Sequence, residues 1–315
     1  MNRLTVLASG SAGNATLLEV AGFGLLIDCG LHPRLLASRL AMIGRSWDQV
    51  HAVILTHTHS DHWKDSVLTH LRNRGIPLYA HPAQLDYLSN TAKSLASLHA
   101  AHLTRHYLQD QRLELAPGLY CSPVWVSHDS EPTFAFRIDH HNGVASPAWS
   151  VGYASDLGCA SDRLIDAFVG VEVLAIEFNH DEKMERASSR PAYLVQRVLS
   201  DQGHLSNRQA AELTRVIAAR SAPGLPSHLV QLHLSQDCNH PWLAESAGRN
   251  ALADLCPAAA VITAQQDLPT RSIPLMDHSV SRDRNRSHSF PEGYGPRVTL
   301  TRQTQQPDLP GFGEG

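Results

Sequence analysis

The sequence predicts a layered α/β fold. Short apolar segments typical of strands alternate with helical patterns along most of the chain. The strands cluster early and helices are interleaved throughout, so both faces of at least one sheet need helical cover. With 43% hydrophobic residues, a chain of 315 residues can bury a substantial core. The same composition excludes a protein that is disordered throughout, a collagen-like protein and a coiled coil.

The first half of the chain contains short strands and three helical patterns. Two strands flank a loop of small residues at 9–14, and Pro33 opens a helical pattern that Gly44 closes. The β-branched run at 51–56 predicts a buried strand, whereas the polar, histidine-rich segment 93–112 predicts a loop or a weak helix. We expect strands at 2–8, 14–20, 23–28, 51–56 and 77–80, and helices that begin near 33, 64 and 82.

The second half continues the alternation and ends in a different kind of sequence. We expect strands at 119–127, 133–138, 149–155, 171–178, 228–234 and 259–264, a turn at 139–143, and helices at 161–169, 191–201, 206–220 and 241–254. From about Leu275 the chain is rich in Arg, Ser, Pro and Gly and has no apolar period. We therefore expect an ordered domain over residues 1–270 and a disordered tail over 271–315.

Charge and cysteine usage limit the partners and the compartment. The formal net charge is −4, so the whole molecule is not a polycation, and binding to nucleic acid would depend on local basic patches. The five cysteines are odd in number and form no C-x-x-C pair, which is typical of free thiols in a reducing cytoplasm. No secretory signal pattern and no run of about 18 apolar residues is present. We therefore expect a cytoplasmic protein with no membrane contact.

The chain contains 20 histidines, and four metal-ligand residues follow one predicted strand. The strand 51–56 leads directly into Thr-His-Thr-His-Ser-Asp-His. In an extended segment His57 and His59 point the same way, and a following turn can bring Asp61 and His62 to a second position. Imidazole and carboxylate groups together suit Zn²⁺, and also Mn²⁺ or Fe²⁺. This segment predicts a divalent metal site.

The H-x-H-x-D-H segment after a hydrophobic strand resembles the metallo-β-lactamase superfamily. That resemblance implies an αββα sandwich, in which helices cover two mixed sheets, and two metal ions at one edge of the sheets. It also implies further ligands at later strand ends, where His128, Asp156 and His233 match the superfamily pattern. The match assigns one metal to His57, His59 and His128, the other to Asp61, His62 and His233, and a bridging role to Asp156.

Other segments are similar to particular branches of the superfamily. LLIDCG, YASDLG, EFNHD, GHLSN and LHLSQDCNHPWLA resemble the YycJ/WalJ group, which is regarded as an exonuclease-like branch acting on DNA. The segment 203–213 is also similar to the transfer-RNA 3′-processing endonucleases, and this implies that His204 acts near the scissile phosphate with Glu177 as its partner. Cys238-Asn239 replaces the more usual paired asparagines, and the tail has no counterpart in the group.

The resemblance implies a binuclear metal-dependent hydrolase, a phosphodiesterase or nuclease of the DNA exonuclease type that uses a metal-bridging hydroxide. Zinc is the expected metal, with manganese or iron as alternatives, and nucleic acid is the expected partner. The expected catalytic residues are Asp61, His204 and Glu177. Four further residues are expected to orient the ligands or to contact substrate: Asp28, Asn14, Asn179 and His180.

Two other functions stay open at this point. One is hydrolysis of a small ester, a thioester or a cyclic phosphodiester, as in glyoxalase II-like enzymes, because the H-x-H-x-D-H segment is shared with them. The other is non-catalytic metal binding. The GHLSN and HLSQDCN segments favour a nuclease, and the intact ligand set argues against a protein without activity. The choice between DNA and RNA and the oligomeric state also stay open.

Overall fold

The computed structural model describes residues 2–130, 132–144 and 146–276. The strands are β1 (Asn2–Ala8), β2 (Ala15–Val20), β3 (Phe23–Ile27), β4 (Ala52–Ile54), β5 (Leu78–Ala80), β6 (Thr104–His106), β7 (Leu113–Ala116), β8 (Leu119–Val126), β9 (Thr133–His140), β10 (Trp149–Ala154), β11 (Val173–Glu177), β12 (His228–Leu232), β13 (Ala260–Thr263) and β14 (Ile273–Leu275). The helices are α1 (Pro33–Met42), α2 (Asp65–Arg74), α3 (Pro82–Thr91), α4 (Leu95–Ala100), α5 (Asp162–Phe168), α6 (Glu182–Ala187), α7 (Ala192–Val198), α8 (Asn207–Arg220) and α9 (Pro241–Leu252). None of the helices in this part of the chain is long and apolar enough to cross a membrane.

The strands form two seven-stranded sheets of matching design. The first has the order β14-β1-β2-β3-β4-β5-β6 and the second the order β13-β12-β11-β10-β9-β8-β7. In the first sheet, pairing is antiparallel from β14 to β3 and parallel from β3 to β6. In the second, it is parallel from β13 to β10 and antiparallel from β10 to β7. The prediction of two mixed sheets is confirmed.

Three apolar layers explain how the sheets are covered. The central layer lies between the sheets, where Leu4 and Ile27 of the first sheet belong to one buried cluster with Phe136 and Val173 of the second. A second cluster joins the outer face of the first sheet to α1, α2, α3 and α4. A third joins the second sheet to α5, α8 and α9. The order of layers is therefore helix, sheet, sheet, helix, as the sequence predicts.

Parallel pairing brings the functional loops to one edge of the sandwich. The carboxyl ends of neighbouring parallel strands meet at the same edge of a sheet, because all of them run in one direction. In the first sheet this applies to β3 and β4, and in the second to β10, β11 and β12. The loops that leave these five strands carry most of the residues predicted to form the site.

Two elements differ from the sequence prediction in the polar parts of the chain. The segment 93–112 contains α4 and the strand β6, which pairs with β5 and forms the edge of the first sheet among the described residues. An edge strand can be polar because only part of it is buried, so periodicity did not reveal it. The helix α6 was also not predicted. Its side chains are mostly polar, and it begins where Asp181 accepts hydrogen bonds from the backbone N–H groups of Lys183 and Met184, both at 3.0 Å.

The ordered chain extends beyond the predicted boundary at residue 270. Ile273 and Leu275 pair with Leu4 and Asn2 of β1, and both side chains are buried. Three residues are too few to show a periodic pattern, and this strand depends on β1 for its hydrogen bonds. The predicted boundary was therefore several residues too early. The rest of the predicted tail, 277–315, lies outside the described residues.

Candidate metal centre

The structure brings the seven predicted metal ligands together at one edge of the sandwich. His57, His59 and His128 each offer a ligand atom within 4.8 Å of the others. The same holds for Asp61, His62 and His233, and Asp156 joins His57 and His62 in a further group of this kind. Residues separated by up to about 180 positions in sequence therefore converge as two neighbouring donor sets with a carboxylate between them.

A tight loop after β4 places four of these residues. The backbone N–H of His62 donates to the carbonyl oxygen of His59 at 2.9 Å, and the indole N–H of Trp63 donates to the carbonyl oxygen of Thr58 at 2.8 Å. The loop folds back so that the ring centroids of His57 and His62 are 3.9 Å apart. This local folding explains how adjacent residues can serve two donor sets.

Three of the histidines are held with the same ring nitrogen facing the centre. The Nδ1–H of His62 donates to Asp28 at 2.8 Å, that of His128 to the carbonyl oxygen of Gly203 at 2.9 Å, and that of His233 to Glu177 at 3.0 Å. A neutral imidazole that donates through Nδ1 has its lone pair on Nε2. Histidines that bind metal are oriented in this way by carboxylate and carbonyl acceptors.

Buried atoms without hydrogen-bond partners provide a test of whether a cation fits. Nε2 of His57, Nε2 of His233 and Oδ2 of Asp156 are buried and make no hydrogen bond to any described residue. The nearest imidazole nitrogen to Asp156 Oδ2 in the ion-pair geometry is His62 Nε2, at 3.1 Å. Each unsatisfied buried group costs about 1–3 kcal/mol, and divalent cations would satisfy all three. The nitrogen and oxygen donors present here suit such ions.

Burial and neighbouring charged groups, rather than solvent, set the pKa values of the residues in the cluster. Burial lowers the pKa of His57, His59 and His128, so their rings favour the neutral form that binds metal. Burial opposes ionisation of Asp156, but the neighbouring imidazoles outweigh it and hold the pKa of that carboxyl well below its usual range. Burial likewise opposes the charged form of His233, and the carboxylates around it raise its pKa. Bound cations would take the place of these protons.

Asp28 and Asn14 form hydrogen bonds to residues of the loop 56–62 that follows β4, which we call the metal loop. Asp28 is completely buried and accepts hydrogen bonds from His62 and from the backbone N–H of Thr56 at 2.8 Å. Burial raises the pKa of Asp28, while His62 and the hydrogen bonds oppose that rise. Asn14 is also buried; its side-chain N–H donates to Asp61 Oδ2 at 3.1 Å, and its backbone N–H donates to the carbonyl oxygen of Asp61 at 2.7 Å. Both residues therefore hold ligands in position.

Asn179 and His180 lie in different surroundings although they are adjacent. The side-chain N–H of Asn179 donates to the carbonyl oxygen of His233 at 2.8 Å, and His233 itself has a φ of 54°, which is unusual outside glycine. His180 is completely buried, and neither ring nitrogen has a hydrogen-bond partner in the described part of the chain. Asn179 thus supports a predicted ligand, whereas the position of His180 gives it no access to substrate.

Glu177 joins His204 to the metal cluster. One carboxylate oxygen accepts from His204 Nδ1 at 2.7 Å and from His233 Nδ1 at 3.0 Å. The other accepts from the backbone N–H groups of Leu157 and Leu205, at 3.1 and 2.9 Å. Burial opposes ionisation of Glu177, but His204 outweighs it and lowers the pKa of the carboxyl; the same pair raises the pKa of His204 against the effect of burial. The partnership expected from the sequence is present.

The cluster opens into a pocket of about 220 Å³. Its lining residues are Ser11, His59, Ser60, Asp61, Asp156, Arg197, His204 and His233. Arg197 lies on α7 and its guanidinium contacts Asp129, whose other oxygen lies 3.3 Å from His59 Nε2. Sequence reasoning missed both residues. Asp129 could have been found because it follows a predicted ligand directly, but nothing local marks Arg197.

The chain is similar to known proteins both in sequence and in fold. Residues 24–228 match the model of a family described as the beta-lactamase superfamily domain. The chain is 31% identical over 252 residues to the exodeoxyribonuclease WalJ of Streptococcus pneumoniae, covering 80% of this chain and 88% of that protein. It is 29% identical over 259 residues to the exodeoxyribonuclease YycJ of Bacillus anthracis, covering 79% and 89%. The metallo-beta-lactamase fold protein YhfI from Bacillus subtilis superposes with a TM-score of 0.57 at 19% identity, covering 85% of this chain and 99% of that one.

Proposed function

Because this chain belongs to the metallo-β-lactamase superfamily, we propose that it is a binuclear metal-dependent phosphodiesterase that degrades nucleic acid. The observation that carries the proposal is the convergence of seven imidazole and carboxylate groups beside a Glu177-oriented histidine in one pocket. The relatives named as exodeoxyribonucleases support DNA as the substrate and removal of nucleotides from an end as the mode of action.

Two divalent ions, zinc in the first place, are the proposed cofactors. His57, His59 and His128 would hold one ion, Asp61, His62 and His233 the other, and Asp156 would contact both. The orphaned nitrogens of His57 and His233 and the orphaned oxygen of Asp156 support this assignment. When bound, such ions activate water and stabilise the negative charge that develops on a phosphoryl group.

His204 is the proposed general acid. Its Nδ1–H donates to Glu177, which leaves Nε2 as the ring atom able to hold or transfer a proton. The ring lies at the pocket, with Nδ1 3.9 Å from Asp156 Oδ1, so it sits beside the proposed reaction centre and outside the ligand set. In this position it can contact a phosphoryl oxygen or protonate the leaving oxygen. Glu177 positions the ring, and Asp61 contributes a carboxylate to the same pocket.

The proposal is tested by hydrolysis of end-labelled single- and double-stranded DNA and RNA in the presence of Zn²⁺ or Mn²⁺. The wild-type protein should shorten DNA, and His59→Ala and Asp156→Ala should abolish cleavage because each removes a ligand of the cluster. His106→Ala, which removes an exposed histidine from β6, is the matched control and should cleave normally. Bound metal is measured in every variant.

A metal-loaded wild-type protein that leaves all four nucleic acids intact would contradict the proposal. Hydrolysis of S-lactoylglutathione by that same preparation would then identify the protein as a small-thioester hydrolase.

We further propose that the hydrolase domain comprises residues up to about 276. On the basis of its cysteine usage, we propose that it works in the cytoplasm.

A further inference from the structure

Helix α7 lies beside the pocket and carries two side chains that the proposed chemistry does not use. Arg197 lines the pocket, and Tyr193 precedes it by four residues. Residues four apart on a helix are neighbours on one face. Tyr193 is 73% exposed, so its side chain is open to solvent. A cation therefore lies at the edge of the pocket, and an exposed tyrosine lies on the same face of its helix.

A hydrogen bond to Asp129 holds Arg197 in place and leaves its terminal N–H groups available to bind a ligand. Its Nε–H donates to Asp129, and its terminal NH₂ groups make no hydrogen bond to any described residue. The surrounding pocket is otherwise lined by carboxylates, imidazoles and two serines. An arginine anchored through one edge presents the other edge as a planar fork that matches two phosphate oxygens.

The position of α7 is tied to the metal centre by the backbone. The N–H of His204 donates to the carbonyl oxygen of Val198, the last residue of α7, at 3.0 Å. The carbonyl oxygen of Gly203 accepts from the predicted ligand His128. A Cβ atom at Gly203 would lie 2.1 Å from the carbonyl oxygen of Arg197, so the loop can pass this close to the helix only as glycine. The distance between α7 and the cluster is therefore fixed.

We propose that α7 is the strand-binding surface of this enzyme: Arg197 binds a backbone phosphate next to the reacting one, and Tyr193 stacks on an unpaired base. The inference rests on the proposed nuclease function and specifies its substrate as an unpaired strand end. Aromatic rings bind single strands because every base offers a face for stacking, whereas bases inside a duplex are already stacked on each other. The charge of Arg197 complements the phosphate backbone.

The test compares Arg197→Ala and Tyr193→Ala on two substrates. One is a single-stranded DNA oligonucleotide, and the other is methyl p-nitrophenyl phosphate, which has one phosphate and no neighbouring nucleotide. Each substitution should raise KM for the oligonucleotide about tenfold, because one phosphate contact or one stacked base is lost. Bound metal should stay within twofold of wild type in both variants, and so should turnover of the small diester by Tyr193→Ala.

Matched variants separate substrate binding from general effects of charge or surface. Tyr193→Phe keeps the stacking face and should behave as wild type, and Arg197→Lys keeps the charge without the fork and should be intermediate. Arg72→Ala, at the end of α2 away from the cluster, and Tyr87→Ala, an exposed tyrosine of α3, should change nothing. Only Arg197→Ala should make the dependence of log kcat/KM on log salt shallower, by about 0.7.

Three results would overturn the inference. In the first, Arg197→Ala and Tyr193→Ala match their controls while the wild type degrades the oligonucleotide. In the second, both substrates are affected alike and metal is lost, which would make Arg197 a structural support for Asp129. In the third, the wild type prefers blunt duplex ends to single strands. If the wild type degrades no nucleic acid at all, the proposed function itself fails and the inference falls with it, and this is evident without any variant.

Discussion

At the scale of single residues, the site depends on what each ring nitrogen faces. His62, His128 and His233 each donate Nδ1–H to a protein acceptor, so their Nε2 atoms point to a common centre. Glu177 serves both a proposed ligand and the proposed acid, since one of its oxygens accepts from His233 and His204. The proposed metal binding and proton transfer would therefore be linked through one buried carboxylate.

The role of His204 gives a prediction at this scale. His204→Ala should lower kcat on DNA by about 10² to 10⁴, because a positioned general acid contributes that much. Bound metal and the melting temperature should stay close to wild type, since the residue lies outside the two donor sets. Turnover and metal content are measured on the same preparation. Unchanged turnover would show that the ring is not the acid, and lost metal would show that it is a ligand.

At the scale of elements, three loops cross at a single glycine. Asn14, between β1 and β2, accepts a hydrogen bond from the N–H of Gly30, after β3, and donates its own N–H to the carbonyl oxygen of Asp61, in the metal loop. A Cβ atom at Gly30 would lie 1.6 Å from that carbonyl oxygen. The metal loop can therefore approach the sheet only where residue 30 has no side chain.

Gly30→Ala should displace Asp61 and the loop that holds it. We expect a loss of at least about 3 kcal/mol in the free energy of unfolding, because the clash is with backbone that cannot rotate away. The metal content should also fall. Urea unfolding and metal analysis measure the two effects. Gly75→Ala is the control: space around it is open, its φ of 69° is strained for alanine, and it should cost only about 1–2 kcal/mol. Equal behaviour of the two variants would contradict this account.

At the scale of the whole molecule, the cluster joins the two sheets. His57, His59, Asp61 and His62 follow a strand of the first sheet, whereas His128, Asp156 and His233 follow strands of the second. Each proposed donor set contains residues from both sheets. A bound ion would therefore cross-link the two halves of the sandwich at the edge where the central layer ends.

Metal removal should consequently lower thermal stability. A ligand present at about a thousand times its dissociation constant stabilises the folded state by about 4 kcal/mol, which corresponds to a shift in Tm on the order of 10 °C for a domain of this size. Differential scanning fluorimetry with EDTA and then with added zinc measures this shift. Asp156→Ala should abolish the response, while Asp86→Ala, an exposed carboxylate of α3, should keep it. A wild-type Tm that is independent of zinc would contradict the cross-link.

The sequence alone predicted the class of fold and the set of proposed metal ligands. The apolar runs and their spacing predicted most strands and helices, because each segment shows the periodicity of its buried residues in its own sequence. His57, His59, Asp61 and His62 were evident as a cluster in one loop, and His128, Asp156 and His233 could be matched because each follows an apolar strand. The resemblance of these motifs supplied their order and the partnership of Glu177 with His204.

Only the tertiary structure decided which other groups meet at the site. Asp129 directly follows a predicted ligand, but only the fold brings it to Arg197. Arg197 and Tyr193 lie on a helix whose sequence pattern says nothing about the pocket. The strand β14 exists because β1 offers it hydrogen bonds, and residue 30 is critical because two distant loops cross there. These features depend on contacts between segments far apart in the chain, and the local periodicity of the sequence does not predict such contacts.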